Sequence, residues 1–244
     1  MKNYKITVQY DGTKYNGWQR QGNTKNTIQE RFESVLSRMC GKDVGIFASG
    51  RTDAGVHADE QTANFKCETS MTDAEIRDYL NKYLPEDIRV TSISGVDMRF
   101  HSRLNAVSKT YEYTIATEKP DVFIRKYVYF ADKKPDVEKM RKAAVLLTGK
   151  HDFKGFCSLG RIKKSTVRTV NFIEIEEKDN LIKIRINGDG FLYNMVRIIS
   201  GTLYNIGCGT LEESVIEEIF EEKIREKAGV TLPASGLRLV KVYY

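Results

Sequence analysis

The chain has 244 residues, with 39 Lys and Arg against 33 Asp and Glu, a formal charge of +6 and a sequence pI near 9.0. That length suits one large domain or two fused small ones, and the basic surplus favours a polyanionic partner only mildly. Cys40, Cys67, Cys157 and Cys208 show no CxxC spacing and there are three histidines, which excludes the usual zinc patterns.

Four cysteines scattered over a chain this long do not resemble a small secreted disulfide scaffold, so reduced thiols and no structural metal are expected. The opening Met-Lys-Asn-Tyr-Lys-Ile-Thr-Val has no signal-peptide apolar core, and no later run reaches bilayer length. A cytoplasmic protein with no membrane association is the resulting expectation.

In chain order, residues 4–10 alternate apolar and polar side chains, with Ile6 and Val8 on one side, and predict a half-buried strand. After a polar, glycine-bearing loop, Thr27-Ile28-Gln29-Glu30 has capping-box spacing. Ile28, Phe32, Val35, Leu36 and Met39 then share a helical face that ends before Gly41. Residues 44–49 and 61–67 read as strands. A second capping box at residues 72–75 opens a helix through Ile76, Tyr79, Leu80 and Tyr83 that stops at Pro85, and a strand follows over 88–96.

The order β-α-β-β-α-β is that of a ferredoxin-like domain, helices on one face of an antiparallel sheet and the other face open to RNA. Strands are next predicted at 109–116 and 126–130, and a helix carries Val137, Met140, Ala144 and Leu147. Strands at 166–177 and 181–188 flank the turn-like Lys178-Asp179-Asn180, followed by helices at 194–206 and 211–222 and a final strand at 237–244. The expected fold class is α+β. Two ferredoxin-like (RRM-like) halves, residues 1–102 and 103–244, would join their sheets into one extended central sheet with an active-site cleft between them.

The segment with the most chemical promise is Gly50-Arg51-Thr52-Asp53-Ala54-Gly55-Val56-His57-Ala58, polar, bracketed by glycines and attached to a buried strand. By composition alone, Asp53-Ala54-Gly55 reads more readily as a turn. The nine residues resemble the GRTDAGVHA signature of TruA-type tRNA pseudouridine synthases. Three further segments agree in order: residues 10–21 are similar to that family's YDG…GWQ segment, Lys109-Thr110-Tyr111-Glu112-Tyr113 to its active-site tyrosine strand, and residues 190–197 to the turn carrying its arginine. Residues 149–153 are a weaker echo. Leu237-Arg238-Leu239-Val240 departs from the more usual GLYLV-like ending.

The resemblance implies Asp53 as nucleophile, with Tyr111 and Arg197 as its catalytic partners. The reaction breaks an N-glycosidic bond, turns the uracil and rejoins it through carbon, so no cofactor is expected. Attack at C1′, loss of the C2′ proton and addition at C6 all remain open to an ionised Asp53. Arg197 would keep that carboxylate charged, and Tyr111 would stack on the base and help move the C5 proton.

The implied substrate is tRNA at positions 38, 39 and 40 of the anticodon arm, and the implied assembly is a homodimer. The base must be flipped from its stack, which phosphate contacts offset. Arg51, Thr52, His57, Trp18, Arg20, Lys14, Arg103, Lys163 and Lys164 are the candidate RNA contacts, with Lys25, Lys109 and Arg161 beside them. Trp18 reads alternatively as packing beneath its loop, and His57 as local structure rather than a base. The rivals are a noncatalytic RNA-binding protein with RRM-like sheets, which lacks an RNP1 pattern, and a metal-dependent hydrolase, which lacks a ligand constellation.

Overall fold

The computed structural model describes residues 1–160 and 164–244, so Arg161 and Lys163 lie outside the described residues. The protein is of the mixed α+β class and divides into two compact units, Met1–Val107 with Arg238–Tyr244, and Ser108–Leu237.

The first unit runs β1 (Lys2–Tyr10), α1 (Ile28–Cys40), β2 (Ile46–Ala48), β3 (His57–Cys67), α2 (Asp73–Tyr83) and β4 (Ile88–Val96). Alternation works as expected in β1, where Tyr4, Ile6, Val8 and Tyr10 are buried. β1 pairs antiparallel with both β3 and β4, and β2 pairs antiparallel with β3 through Ile46 and Phe65, giving the order β4-β1-β3-β2. At the other end of β3, Arg238 and Leu239 of β10 (Leu237–Tyr243) pair in parallel with His57 and Ala58.

The helix signals are realised unequally. Around α2 the capping box is complete: Thr72 N donates to Glu75 Oε2 at 2.8 Å and Glu75 N to Thr72 Oγ1 at 3.3 Å. At α1, Thr27 caps Glu30 N, but the Glu30 carboxylate turns instead to Arg20 Nε at 2.9 Å. That helix ends at Gly41, whose φ of 66° suits glycine. Its buried Phe32 stacks on Trp18, ring centroids 6.0 Å apart, and Trp18 in turn meets Tyr10.

Two expectations are corrected here. Asn3 Nδ2 donates to Asp97 O and Phe100 O, each at 2.9 Å, and Asn64 Oδ1 accepts from Ser102 N at 2.8 Å. These asparagines share the sheet face opposite Tyr4 and Ile6, so the stretch around residues 97–102 lies over part of that face, which is not wholly open. The four cysteines are not all reduced: Cys40, at the end of α1, is disulfide-bonded to Cys67, at the end of β3, while Cys157 and Cys208 are free thiols. The helix and the β3 register bring the two Cα atoms to 6.6 Å, within bonding range.

The second unit contains β5 (Ser108–Ala116), β6 (Tyr129–Phe130), α3 (Val137–Leu146), β7 (Gly149–Asp152), β8 (Val167–Lys178), β9 (Leu181–Gly188), α4 (Met195–Gly207) and α5 (Val215–Glu222). Antiparallel pairing gives β5-β9-β8-β7, with β6 parallel on the far edge of β5. Asp179 and Asn180 have φ of 48° and 61°, the left-handed pair that a tight β8–β9 hairpin requires.

The strand expected over 126–130 shortens to Tyr129–Phe130, because Asp121 draws the preceding residues into turns, its Oδ1 accepting from Phe123 N at 2.8 Å. α4 is buried on most sides, and a Cβ at Gly201 would stand 1.9 Å from Val230 O. Among the described residues no helix is long and apolar enough to cross a membrane, and no cluster of His, Cys, Asp and Glu is arranged to hold a metal ion.

Candidate active site

Asp53 lies on the connection from β2 to β3, half-buried, in a segment held at several points. Before it, Thr52 is 6% exposed, and its Oγ1 is 2.8 Å from the Tyr10 hydroxyl. Thr52 O accepts from Trp18 N at 3.0 Å. After it, Val56 N donates to Asp53 O at 3.1 Å and Gly55 N to Tyr15 O at 3.2 Å. Two glycines of the first loop permit this approach. A Cβ on Gly12 would sit 2.0 Å from Val56 O, and one on Gly17, whose φ is +85°, 2.6 Å from Thr52 O.

His57 closes the arrangement. Its Nδ1 lies 3.0 Å from Gly12 N, which donates to it, and 3.1 Å from Asp11 Oδ1. These two contacts compete, since a nitrogen that accepts the Gly12 N–H carries no proton for a carboxylate. Asp11 Oδ1 also accepts from Thr13 N and Thr13 Oγ1. His57 is thus a buried post between two loops.

In the second unit, Tyr111 lies on β5, 8% exposed, with its ring edge-on to Phe191 at 5.2 Å. Tyr113 shares its face two residues on, fully buried, and donates to Pro233 O at 2.8 Å. Burial pushes the Tyr113 phenol well up, and the positive Arg197 opposes that rise. Arg197, on the first turn of α4, donates Nε to Leu232 O at 2.6 Å and Nη1 to Asn194 Oδ1 at 2.8 Å. Asn194 precedes the helix with φ of 61°, and its Nδ2 donates to Ser158 Oγ at 3.1 Å.

The expected RNA contacts fare differently. Trp18 is 2% exposed and packs beneath its loop, the second of its two readings, and Thr52 turns its hydroxyl to Tyr10. Lys14 is exposed and pairs with Asp87 at 3.7 Å, and Arg20 pairs with Glu30 and Glu33. Arg51, Lys25, Arg103 and Lys164 are exposed. Composition did not reveal Gln61, which accepts from Ser49 Oγ at 2.7 Å and donates to Gly50 O at 3.0 Å. Its partners depend on the β3 register, whereas the Asn194–Arg197 pair carried a legible three-residue helical spacing.

Against known proteins, the family described as tRNA pseudouridine synthase matches residues 6–105 and 143–244. "tRNA pseudouridine synthase A 2" of Bacillus cereus (strain ZK / E33L) is 45% identical over 245 residues, all of both chains. "tRNA pseudouridine synthase A" of Bacillus sp. (strain KSM-64) is 48% identical over 98% of each, and that of Clostridium kluyveri 44% identical over all of both. Among solved structures, a "Cbf5-Nop10-Gar1 Complex" aligns over 97% of this chain and 48% of that one, with 13% identity and a TM-score of 0.40, too low to carry weight. The chain belongs to the tRNA pseudouridine synthase A family. That makes it an isomerase acting on uridine in tRNA.

Proposed function

We propose that the protein converts uridine to pseudouridine at positions 38, 39 and 40 of the tRNA anticodon arm, with Asp53 as nucleophile and no cofactor. The observation that carries this reading is the rigid presentation of Asp53, a half-buried residue whose backbone is fixed on both sides. Electrostatic and nucleophilic catalysis both demand such preorganisation. Family membership supports the chemistry.

In this reading Asp53, Tyr111 and Arg197 act on one everted nucleotide. The N1–C1′ bond breaks, the uracil turns, and C5 bonds to C1′. The C5 proton leaves and N1 gains one, so the reaction is neutral in atoms and electrons. Arg197 supplies the positive charge of the reaction, and the Tyr111 ring stacks on the base. Arg51, Lys14, Arg20, Lys25, Arg103, Lys109 and Lys164 supply cations for phosphates, Arg20 after leaving its glutamates. Each unit is read as ferredoxin-like, and the working assembly as a cytoplasmic homodimer on tRNA.

The test incubates purified protein with unmodified tRNA in EDTA and maps pseudouridine by position. Product at 38, 39 or 40 is expected. Binding of tRNA with no product at any position would leave a noncatalytic RNA-binding protein, and product elsewhere would overturn the assigned positions.

A further inference from the structure

Four polar side chains buried around the Asp53 segment have no task in the reaction described above. Tyr10, at the end of β1, is 3% exposed and reaches Thr52 Oγ1. Gln61, on β3, is fully buried and ties Ser49 Oγ to Gly50 O. Burial raises the Tyr10 phenol to about 12, and hydrogen bonds to Thr52 and Gln61 oppose that rise. The four groups thus form two buried links, Tyr10–Thr52 and Ser49–Gln61–Gly50, which together fix residues 49, 50 and 52.

Buried polar groups are costly to leave unsatisfied, so such a network has few alternative arrangements. It controls the chain entering Asp53, as Gly12 and His57 control the chain leaving it. A carboxylate one carbon from the backbone goes where that backbone goes, and misplacing a reacting group by about 1 Å can cost about a hundredfold in rate.

We infer that Tyr10 and Gln61 are positioning residues for the isomerisation: through Thr52 and Gly50 they hold the Asp53 carboxylate in line with its target, and they touch no RNA themselves. Thr52 belongs to the same device. The inference rests on the proposed role of Asp53.

The experiment compares wild type, Tyr10→Phe, Thr52→Val, Thr52→Ser and Gln61→Leu in kcat, in KM for unmodified tRNA and in thermal midpoint. Tyr10→Phe and Thr52→Val are each expected to lower kcat about tenfold or more while KM stays within about twofold. Thr52→Ser, which keeps the hydroxyl, restores most of the rate. The Tyr10→Phe/Thr52→Val double variant is no slower than the worse single, because both remove one bond.

A lowered thermal midpoint with unchanged kcat would make the network merely structural and overturn the inference. A raised KM at constant kcat would overturn it in favour of RNA contact. A wild type that forms no pseudouridine overturns the proposed function and this inference together, whereas an active wild type with an unaffected Tyr10→Phe overturns the inference alone.

Discussion

The segment around Asp53 and the start of α4 both present a charged side chain, and the contacts described for each fall on different parts of the chain. In the first unit the neighbours are gripped: Thr52 by Tyr10 and Trp18, Gly50 by Gln61, and Val56 by the turn to Asp53 O. In the second, the Arg197 head group itself is gripped, by Leu232 O and Asn194 Oδ1. Side-chain length makes each kind of contact count. A carboxylate close to the backbone inherits its rigidity, whereas a guanidinium on a long stem keeps its rotamer freedom unless its own N–H groups are bound.

The largest effects should come from the glycines that allow close backbone approach in each region. Gly12→Ala would drive a Cβ to 2.0 Å from Val56 O, and Gly201→Ala to 1.9 Å from Val230 O. Each should lose about 3 kcal/mol or more of stability in denaturant titrations. Unchanged midpoints would break the picture of two rigid supports.

Next comes the covalent tie in the first unit alone. The Cys40–Cys67 bond closes a loop of sequence separation 27 that contains the whole Asp53 segment. Cys40→Ser should cost about 3 kcal/mol relative to the oxidised protein, with little further effect of reductant on the variant. Cys157→Ser and Cys208→Ser should leave the reductant effect in place.

A slightly smaller effect, about a hundredfold in kcat, is expected for Arg197→Lys. One ammonium cannot reproduce the fork that spans Leu232 O and Asn194 Oδ1. A variant with wild-type kcat would show that direct grip of the head group is unnecessary.

The smallest effect is alkaline. Burial holds Tyr10 neutral up to about 12 and pushes Tyr113 higher still. Above pH of about 10 the unfolded chain releases these protons while the folded protein keeps them, so stability falls as pH rises. The contribution of Tyr10, on the order of 2 kcal/mol, is complete below about pH 10 and lost as pH climbs through about 12. Tyr10→Phe should flatten that slope in denaturation curves taken across this range.

Much of the fold was readable where its causes are local. The capping box at Thr72, the glycine stop after Cys40 and the Asp179-Asn180 hairpin each act within a few residues. Pairings set by distant partners were not. Nothing near residue 238 announces its parallel register against His57, and Glu30 abandons its local capping bond because Arg20 arrives from another loop. The short β7 and the Cys40–Cys67 bond escaped for the same reason. At the site, the motif made Asp53, Tyr111 and Arg197 legible as residues of interest. The supports Tyr10 and Gln61 were not, because a tyrosine or glutamine in a strand looks like any other until its cross-strand neighbours are known.

The central claim is that a single carboxylate carries the isomerisation. Asp53→Asn keeps size and shape while removing the negative charge, so single-turnover conversion of unmodified tRNA should fall by about a thousandfold or more, with tRNA affinity retained. Pseudouridine formed at a rate near that of wild type would contradict it.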